Sequence, residues 1–166
     1  MLDPAQLAAK FWTSLKSDRT VMLRLAGGDL PQPMTALLDK DAAQDETHRG
    51  PIYIFTARDN DMVQAMGERA PAELQFVSKG HDIFASVEGE LVADNDREVI
   101  ERLWNPFVAA WFEGGKDDPN LQLLRFEPGR AQLWENDNLI FAGARILFGR
   151  DPKEDYRDKT AQLRLS

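Results

Sequence analysis

The sequence predicts a mainly β (α+β) domain in which antiparallel strands form a closed or split barrel with short flanking helices. Three observations lead to this prediction. Short segments of alternating apolar and polar residues, such as Val21–Ala26, recur along the chain. Turn sequences such as Gly27-Gly28-Asp29 separate these segments at the spacing of hairpins. The helical segments are too few and too short for a parallel sheet wound by long helices.

The individual elements follow from local patterns. A helix over Ala5–Leu15 is predicted because Asp3 and Pro4 form a typical helix start. Further helices are predicted over Asp59–Met66, Asp96–Trp104 and Pro106–Phe112. Strands are predicted over Val21–Ala26, Met34–Asp39, Pro51–Phe55, Glu73–Ser78, Ile83–Val92, Leu121–Glu127, Ala131–Glu135 and Leu139–Leu147. The remaining predictions are a polar loop over Lys40–Arg49, a turn at Pro128-Gly129 and a charged, at best partly ordered tail from Gly149.

Composition excludes several classes of function. The net charge of −8 argues against binding a nucleic-acid backbone or an anionic membrane, because both need clustered cations. The chain contains no cysteine, which excludes disulfides and thiolate chemistry. No apolar segment is long enough to span a bilayer, and the first residues lack the pattern of a signal peptide. We therefore expect a cytoplasmic protein with no nucleic-acid or membrane partner.

Metal and nucleophilic sites are weakly supported. His48 and His81 do not have the spacing of a two-ligand metal site, so no metal is predicted. No serine stands in a nucleophile-elbow sequence, and Gly114-Gly115 does not match a phosphate-loop sequence. Asp117-Asp118 precedes proline and is interpreted as a turn former rather than a metal ligand.

The segment from Gly50 to Met62 carries most of the functional information. An apolar strand over Pro51–Phe55 ends at Thr56 and is followed by a polar turn that opens a helix. The strand offers apolar surface, whereas the turn offers a hydroxyl, backbone N–H groups and the Arg58 guanidinium. This combination suits a flat ring that carries a phosphate tail.

Several stretches resemble one family. The run Pro33-Met34-Thr35, the strand exit Ile52–Thr56 and the run Val87-Glu88-Gly89 resemble the FMN-binding split barrel of the pyridoxamine 5′-phosphate oxidase-like superfamily. The runs Leu103–Pro106 and Trp111–Pro119 are similar to its general stress protein 26-like branch. The resemblance covers residues 5–134. It implies a six-stranded antiparallel split β-barrel, a domain over residues 1–148 and a charged C-terminal tail over residues 149–166.

The resemblance also implies a homodimer with flavin mononucleotide, or alternatively FAD or a deazaflavin, at the dimer interface. The strand around Met34 and Thr35 would contact the pyrimidine edge of the isoalloxazine ring, and Phe55 and Thr56 would line the ring and ribityl chain. The turn beyond them would hold the phosphate. The cofactor-binding residues implied in this way are Met34, Thr35, Phe55, Thr56, Arg58, Asn60, Lys79 and Trp111.

Each of these assignments has a structural alternative. Phe55 and Met34 also fit core packing, and Thr56 also fits a turn or helix cap. Trp111 is interpreted as a dimer contact near the cofactor rather than a ring-stacking residue. Many relatives place a lysine six residues after the threonine, where this chain has Met62 preceded by Asp61. Arg58 or Lys79 is expected to supply the missing cation.

Three functional hypotheses remain open. Full pyridoxine phosphate oxidases carry a C-terminal Arg-x-His segment, and no histidine follows His81 here, so that activity is not predicted. The first hypothesis is a flavin-binding stress protein with weak flavin- or NAD(P)H-dependent oxidoreductase activity. The second is a protein that stores, sequesters or senses flavin nucleotides. The third is an interaction module without a cofactor. No residue stands out as a general acid or base, and no substrate is predicted.

Overall fold

The computed structural model describes residues 3–39, 50–136 and 160–165. These residues form one antiparallel sheet that curves into a nearly closed barrel with short helices packed against it, which confirms the predicted fold class. The strands are β1 (Thr20–Leu25), β2 (Gln32–Thr35), β3 (Leu37–Leu38), β4 (Ile52–Ala57), β5 (Arg69–Val77), β6 (Ile83–Ala93), β7 (Leu121–Glu135) and β8 (Thr160–Arg164). The helices are α1 (Pro4–Asp18), α2 (Asp61–Met66), α3 (Arg97–Leu103) and α4 (Pro106–Ala109), followed by a 3₁₀ turn over Gly115–Asp117.

The predicted strand count of six is wrong. Within the described chain, seven strands follow one another in the order β2-β1-β5-β6-β7-β4-β3, and β8 pairs with β7 outside that path. The predicted strand Met34–Asp39 is divided at Ala36. Its first part pairs with β1 and its second part pairs with β4, so neither part can continue the other's ladder. The bend at Ala36 thereby joins the two ends of the sheet and closes the barrel.

Helix α1 covers one end of the barrel core. Asp3 caps it by accepting a hydrogen bond from the Ala5 N–H at 3.0 Å. Its buried face consists of Leu7, Phe11, Trp12 and Leu15, in agreement with the amphipathic pattern of the sequence. The Phe11 ring meets Phe76 of β5 edge to face, with centroids 5.9 Å apart. These contacts attach the helix to the sheet.

The predicted turn at Pro128-Gly129 is wrong, because β7 runs through both residues. Gly89 of β6 lies opposite Pro128 and Val87 lies opposite Ala131, so the register shifts between Val87 and Gly89. This bulge accommodates a proline that cannot donate to the ladder. Gly89 is required at this position, since a Cβ there would lie 2.3 Å from the backbone oxygen of Glu127.

Other boundaries also differ from the sequence-based prediction. Helix α4 ends at Ala109, so Trp111 lies in a turn instead of the predicted helix Pro106–Phe112. The C-terminal tail contributes strand β8, which the sequence did not predict. The predicted boundary between a domain over residues 1–148 and a tail over residues 149–166 stays a prediction. The loop Lys40–Arg49 with His48, and the predicted strand Leu139–Leu147, lie outside the described residues. None of the helices in the described ranges has both the length and the apolarity to cross a bilayer.

A buried hydroxyl organises the turn between β5 and β6. Ser78 is only 3% exposed, and its Oγ accepts hydrogen bonds from the backbone N–H groups of Asp82 and Ile83, both at 3.1 Å. The same hydroxyl donates to the Asp82 carboxylate. This hydrogen bond is the main reason why the pKa of Asp82 lies below its ordinary value.

We expect the substitution Ser78→Ala to lower the free energy of unfolding by about 1–2 kcal/mol at pH 7, because it removes the acceptor of one buried and one partly buried N–H group. A carboxyl with a lowered folded-state pKa stabilises the fold above its unfolded-state pKa and loses that contribution as it becomes protonated. The difference between wild type and variant should therefore narrow below about pH 4. Urea unfolding at a series of pH values measures this, and a difference that grows on acidification would contradict it.

Candidate functional site

Strands β2 and β4 diverge to form a split in the barrel wall. Within the described chain, the ladder of β2 is formed with β1, whereas β4 pairs with β7 and, at its beginning, with β3. No ladder joins β2 to β4, so the facing edges of Gln32–Thr35 and Ile54–Ala57 have backbone groups that no described strand occupies. Such edges offer N–H donors and carbonyl acceptors to a ligand placed between them.

A cavity of about 630 Å³, which we call the split cavity, lies along this divergence. β2 contributes Pro33, Met34 and Thr35, and β4 contributes Phe55, Thr56 and Ala57. The volume lies within the range of small-molecule and cofactor sites, and mostly apolar walls with a few hydroxyls are typical of them.

Helix α4 and the following turn form the third wall, which is strongly exposed. Phe107 and Trp111 line the cavity with 80% and 84% of their surfaces accessible. Val108 and Phe112 lie behind them, partly or fully buried against a small cluster with Tyr53. Two exposed aromatic side chains beside a cavity are unusual in an isolated chain and indicate a surface that a ligand or partner covers.

Different polar residues line the two ends of the cavity. At the Ala36 bend, the Ala36 N–H donates to the Arg19 carbonyl at 2.6 Å, and Arg19 lines the cavity there. At the opposite end, Asn120 lines the cavity beside the turn after β4, where its carbonyl accepts from the Arg58 N–H at 2.8 Å. Below the split, the Asn60 side chain donates to the Gln32 side chain at 2.9 Å and links the two strand ends.

The structure brings most of the sequence-predicted site residues together. Met34, Thr35, Phe55, Thr56 and Trp111 line the split cavity. Met34 also packs against the barrel core, and the Phe55 ring meets Trp104 edge to face with centroids 5.9 Å apart. Met34 and Phe55 therefore pack against neighbouring side chains and line the cavity at the same time.

The other three predicted residues do not line this cavity. The Arg58 Nε donates to the Leu121 carbonyl at 3.3 Å, next to the Asn120 end. Asn60 caps α2 by accepting from the Met62 N–H at 2.9 Å. Lys79 lies in the loop between β5 and β6, where its N–H donates to the Asp18 carboxylate at 2.7 Å. Their roles toward a ligand stay predictions.

Sequence reasoning missed Arg19, Asn105, Phe107, Val108 and Asn120, all of which line the cavity. The spacing of Phe107 and Trp111, four residues apart in a predicted helix, could have indicated a shared aromatic face. No comparable signal exists for Arg19, because a cation at the end of a helix is common.

Few titratable groups face the site. Arg19 is the single ionisable side chain among the described lining residues of the split cavity. Burial raises the pKa of Tyr53, which lies behind the cavity and stays neutral at physiological pH. In the ranges that the structure describes, no group of three or more histidine or acidic side chains is arranged to hold a metal.

An ion pair between a buried carboxylate and a partly exposed guanidinium holds α3 against the bend. Asp39 is 5% exposed and accepts from Arg102 of α3 through Nη2 at 2.8 Å and Nε at 3.1 Å. We expect Asp39→Ala to lower the free energy of unfolding by about 2 kcal/mol, because it removes the two charge-assisted hydrogen bonds between this carboxylate and α3. Thermal or urea unfolding measures the change.

Asp117→Ala is the matched control, since Asp117 pairs with Arg97 but its side chain is 84% exposed. Exposed pairs contribute little, so this control should stay within about 0.5 kcal/mol of wild type. Equal effects of the two substitutions would show that the Asp39 pair does not anchor α3.

Comparisons with known proteins agree with the fold and with the family resemblance. A family model described as "Pyridoxamine 5′-phosphate oxidase like" matches residues 6–148. General stress protein 26 of Bacillus subtilis is 38% identical over 52 residues, which are 31% of this chain and 36% of that protein. The match thus spans about a third of the curated relative's length.

Solved structures extend the similarity over most of the chain. A general stress family protein of Xanthomonas campestris pv. campestris is 50% identical with a TM-score of 0.73, over 82% of this chain and 92% of that one. A protein of Xanthomonas citri described as a general stress FMN/FAD binding protein is 48% identical with a TM-score of 0.71, over 80% and 90%. A general stress protein 26 of Jannaschia sp. CCS1 is 27% identical with a TM-score of 0.78, over 98% of both chains.

Proposed function

Because the chain belongs to the pyridoxamine 5′-phosphate oxidase-like family, we propose that its split cavity binds a flavin nucleotide, FMN or FAD. The observation that carries the proposal is the divergence of β2 from β4. It leaves two backbone edges facing a cavity whose walls are otherwise apolar and aromatic. A flavin ring needs both features, since its rings are apolar and its pyrimidine edge needs donors and acceptors.

The position of the ring follows from the character of the two cavity ends. The pyrimidine edge lies toward Met34 and Thr35, whose strand edge is unpaired on the cavity side. The ribityl chain passes Phe55 and Thr56, and the phosphate tail leaves at the Asn120 end, where Arg58 is exposed. Lys79 lies on the β5–β6 loop beside Asp18 and does not line the cavity. The X. citri relative, described as FMN/FAD binding, supports the choice of ligand.

We further propose that two chains associate over the surface formed by Phe107 and Trp111. Both side chains are exposed in a single chain, and exposed aromatic side chains are enriched at protein interfaces. A homodimer would bury them and close the open side of the split cavity. Localisation in the cytoplasm remains part of the proposal.

The chemistry available at the site is limited by its residues. A bound flavin exchanges a hydride through N5, and the surrounding protein tunes that exchange. The described lining contains no carboxylate and no imidazole that could act as a general base. This favours hydride exchange with a second reactant, without proton abstraction by the protein. It equally favours the second candidate function, the storage or sensing of flavin without turnover.

Flavin titration tests the proposal. We expect FMN fluorescence to be quenched on binding, and Thr56→Val combined with Arg58→Ala to weaken binding by several-fold, because a hydroxyl and a charged partner of the tail are removed. Thr13→Val is the control, since Thr13 is exposed on α1 and lines no described cavity. A chain that takes up neither FMN, FAD nor riboflavin in excess would refute the proposal. NAD(P)H consumption by the flavin-loaded protein separates the two candidate functions.

A further inference from the structure

The chain between the aromatic wall and β7 forms a tight loop, which we call the wall loop (residues 111–120). Trp111 and Phe112 at its start line the split cavity, and so does Asn120 at its end. The residues between them do not line that cavity. The wall loop thus contributes to the cavity at two separate points, and its conformation sets the distance between them.

The Asp118 carboxylate joins the two halves of this loop. Its Oδ1 accepts a hydrogen bond from the Asn120 N–H at 2.9 Å, and its Oδ2 accepts from the Gly114 N–H at 3.0 Å. These two bonds are the main reasons why the pKa of Asp118 lies below its ordinary value. Bonds from backbone N–H groups to a carboxylate are stronger than those between neutral partners. One side chain therefore ties the segment after Phe112 to the residue that reaches the cavity.

The backbone packs closely around this carboxylate. A Cβ on Gly114 would lie 2.9 Å from the Asp118 Cα, so a side chain does not fit there unless the loop shifts. The Gly115 N–H donates to the Phe112 carbonyl at 3.0 Å, and the Asp118 N–H donates to the Gly115 carbonyl at 3.1 Å. These contacts favour a single conformation of the loop.

Contacts with other elements fix the orientation of the wall loop. The Lys116 ammonium pairs with Glu101 of α3. In the turn after β4, the Asn120 side chain accepts from the Asp59 N–H and donates to the Asp59 carboxylate, both at 3.3 Å. The loop is thus attached to α3 on one side and to the β4 turn on the other, and Asp118 lies between the two attachments.

We propose that Asp118 is a positioning residue of the split cavity, which holds the aromatic wall at Trp111 and Phe112 in a fixed position relative to Asn120. The inference rests on the proposed flavin binding. Asp118 does not line the cavity, so it acts through the loop. A wall that is already fixed needs no ordering when a ligand binds, and a displacement of about 1 Å can weaken binding strongly.

The sign of the effect distinguishes positioning from direct electrostatics. In the proposed function, the flavin phosphate leaves the cavity at the Asn120 end, and Asp118 places a negative charge next to Asn120. If that charge acted directly, removing it would strengthen the binding of a phosphate. Positioning predicts weaker binding instead, and it predicts the same loss for riboflavin, which has no phosphate.

The test is a fluorescence titration of the full chain with FMN and with riboflavin. Asp118→Ala removes both acceptors, Asp118→Asn keeps one side-chain oxygen, and Gly114→Ala disturbs the same contact without a change of charge. Asp117→Ala is the matched control, because it removes the same charge from a side chain that is 84% exposed and pairs with Arg97.

We expect Asp118→Ala to weaken the binding of both ligands about tenfold, because the wall must then be ordered by the ligand. Gly114→Ala should also weaken both, and Asp118→Asn should lie between Asp118→Ala and wild type. The control Asp117→Ala should stay within about twofold of wild type.

A second measurement needs no ligand. The chain has four tryptophans, so four indole N–H signals are expected in a ¹H–¹⁵N spectrum, and Trp111→Phe identifies the signal of Trp111. We expect Asp118→Ala to shift the Trp111 signal and to leave that of Trp12, on the buried face of α1, in place. A general loss of stability would not single out one indole.

The outcomes separate this inference from the proposed function. The inference would be overturned if Asp118→Ala bound flavins as Asp117→Ala does, if it lost affinity for FMN but not riboflavin, or if it gained affinity for FMN. An unmoved Trp111 signal in Asp118→Ala would also overturn it. A wild-type chain that binds no flavin refutes the proposed function alone, and the indole spectrum then still decides whether Asp118 positions the wall.

Discussion

Gly89→Ala is expected to destabilise the protein by about 3 kcal/mol, a large part of the stability of an ordinary domain. The added Cβ would lie 2.3 Å from the Glu127 backbone oxygen and 2.7 Å from Cζ of Phe126. The first contact is with the main chain of β7, so a change of side-chain rotamer cannot relieve it. Relief requires β6 and β7 to separate at the bulge, and that would also displace the buried Phe126 ring.

Equilibrium unfolding in urea measures this effect. Gly80→Ala is the matched control, because a Cβ there would make an ordinary contact of 3.6 Å with the Asp82 carboxylate. The control should stay within about 0.5 kcal/mol of wild type. If Gly89→Ala were as stable as the control, β6 and β7 could not approach as closely as described.

Trp111→Ala should lower flavin affinity at least 30-fold, which corresponds to about 2 kcal/mol. The indole is 84% exposed in the isolated chain and lines the split cavity. A ligand or partner chain that covers it removes a large apolar surface from water, and truncation forfeits that gain. Fluorescence titration with FMN measures the affinity, and sedimentation measures the association state in the same samples.

Leu30→Ala is the control for removing an exposed apolar side chain. Leu30 is 85% exposed but does not line the split cavity, so flavin affinity should not change. Loss of both affinity and association in Trp111→Ala would support the interpretation of Trp111 as a dimer contact. Loss of affinity alone would indicate direct contact with the flavin. Unchanged affinity would contradict any role of this side chain in binding.

The local sequence pattern predicted the helices and strands well where residues close in the sequence determine them. The capped, amphipathic sequence after Asp3 gives α1, and the alternation after Val21 gives β1. Pattern failed where a distant partner decides. The break at Ala36 arises because one segment pairs with two different strands, and the sequence of that segment does not encode its partners. Pro128-Gly129 has the composition of a turn, but pairing with β6 carries the strand through it.

The same distinction applies to the candidate site. Thr35 and Thr56 reach the cavity because each lies at or next to the end of a strand that borders it. The alternating sequence pattern could predict where these strands end. Asn60 follows Thr56 closely in the chain, yet its side chain is engaged in capping α2. Arg19 lies far from both in sequence and reaches the site through the Ala36 bend. Proximity along the chain was therefore a poor guide to the polar contacts.

The side-chain link between Asn60 and Gln32 has a consequence for ligand entry. It is the one described hydrogen bond that crosses from the α2 cap to β2 below the cavity, and both partners are neutral amides. Breaking it would leave every rung of the β-ladders intact, since β2 and β4 hold each other through no main-chain pairing. A ligand that enters by parting β2 from β4 at this end therefore breaks this side-chain hydrogen bond and no ladder hydrogen bond.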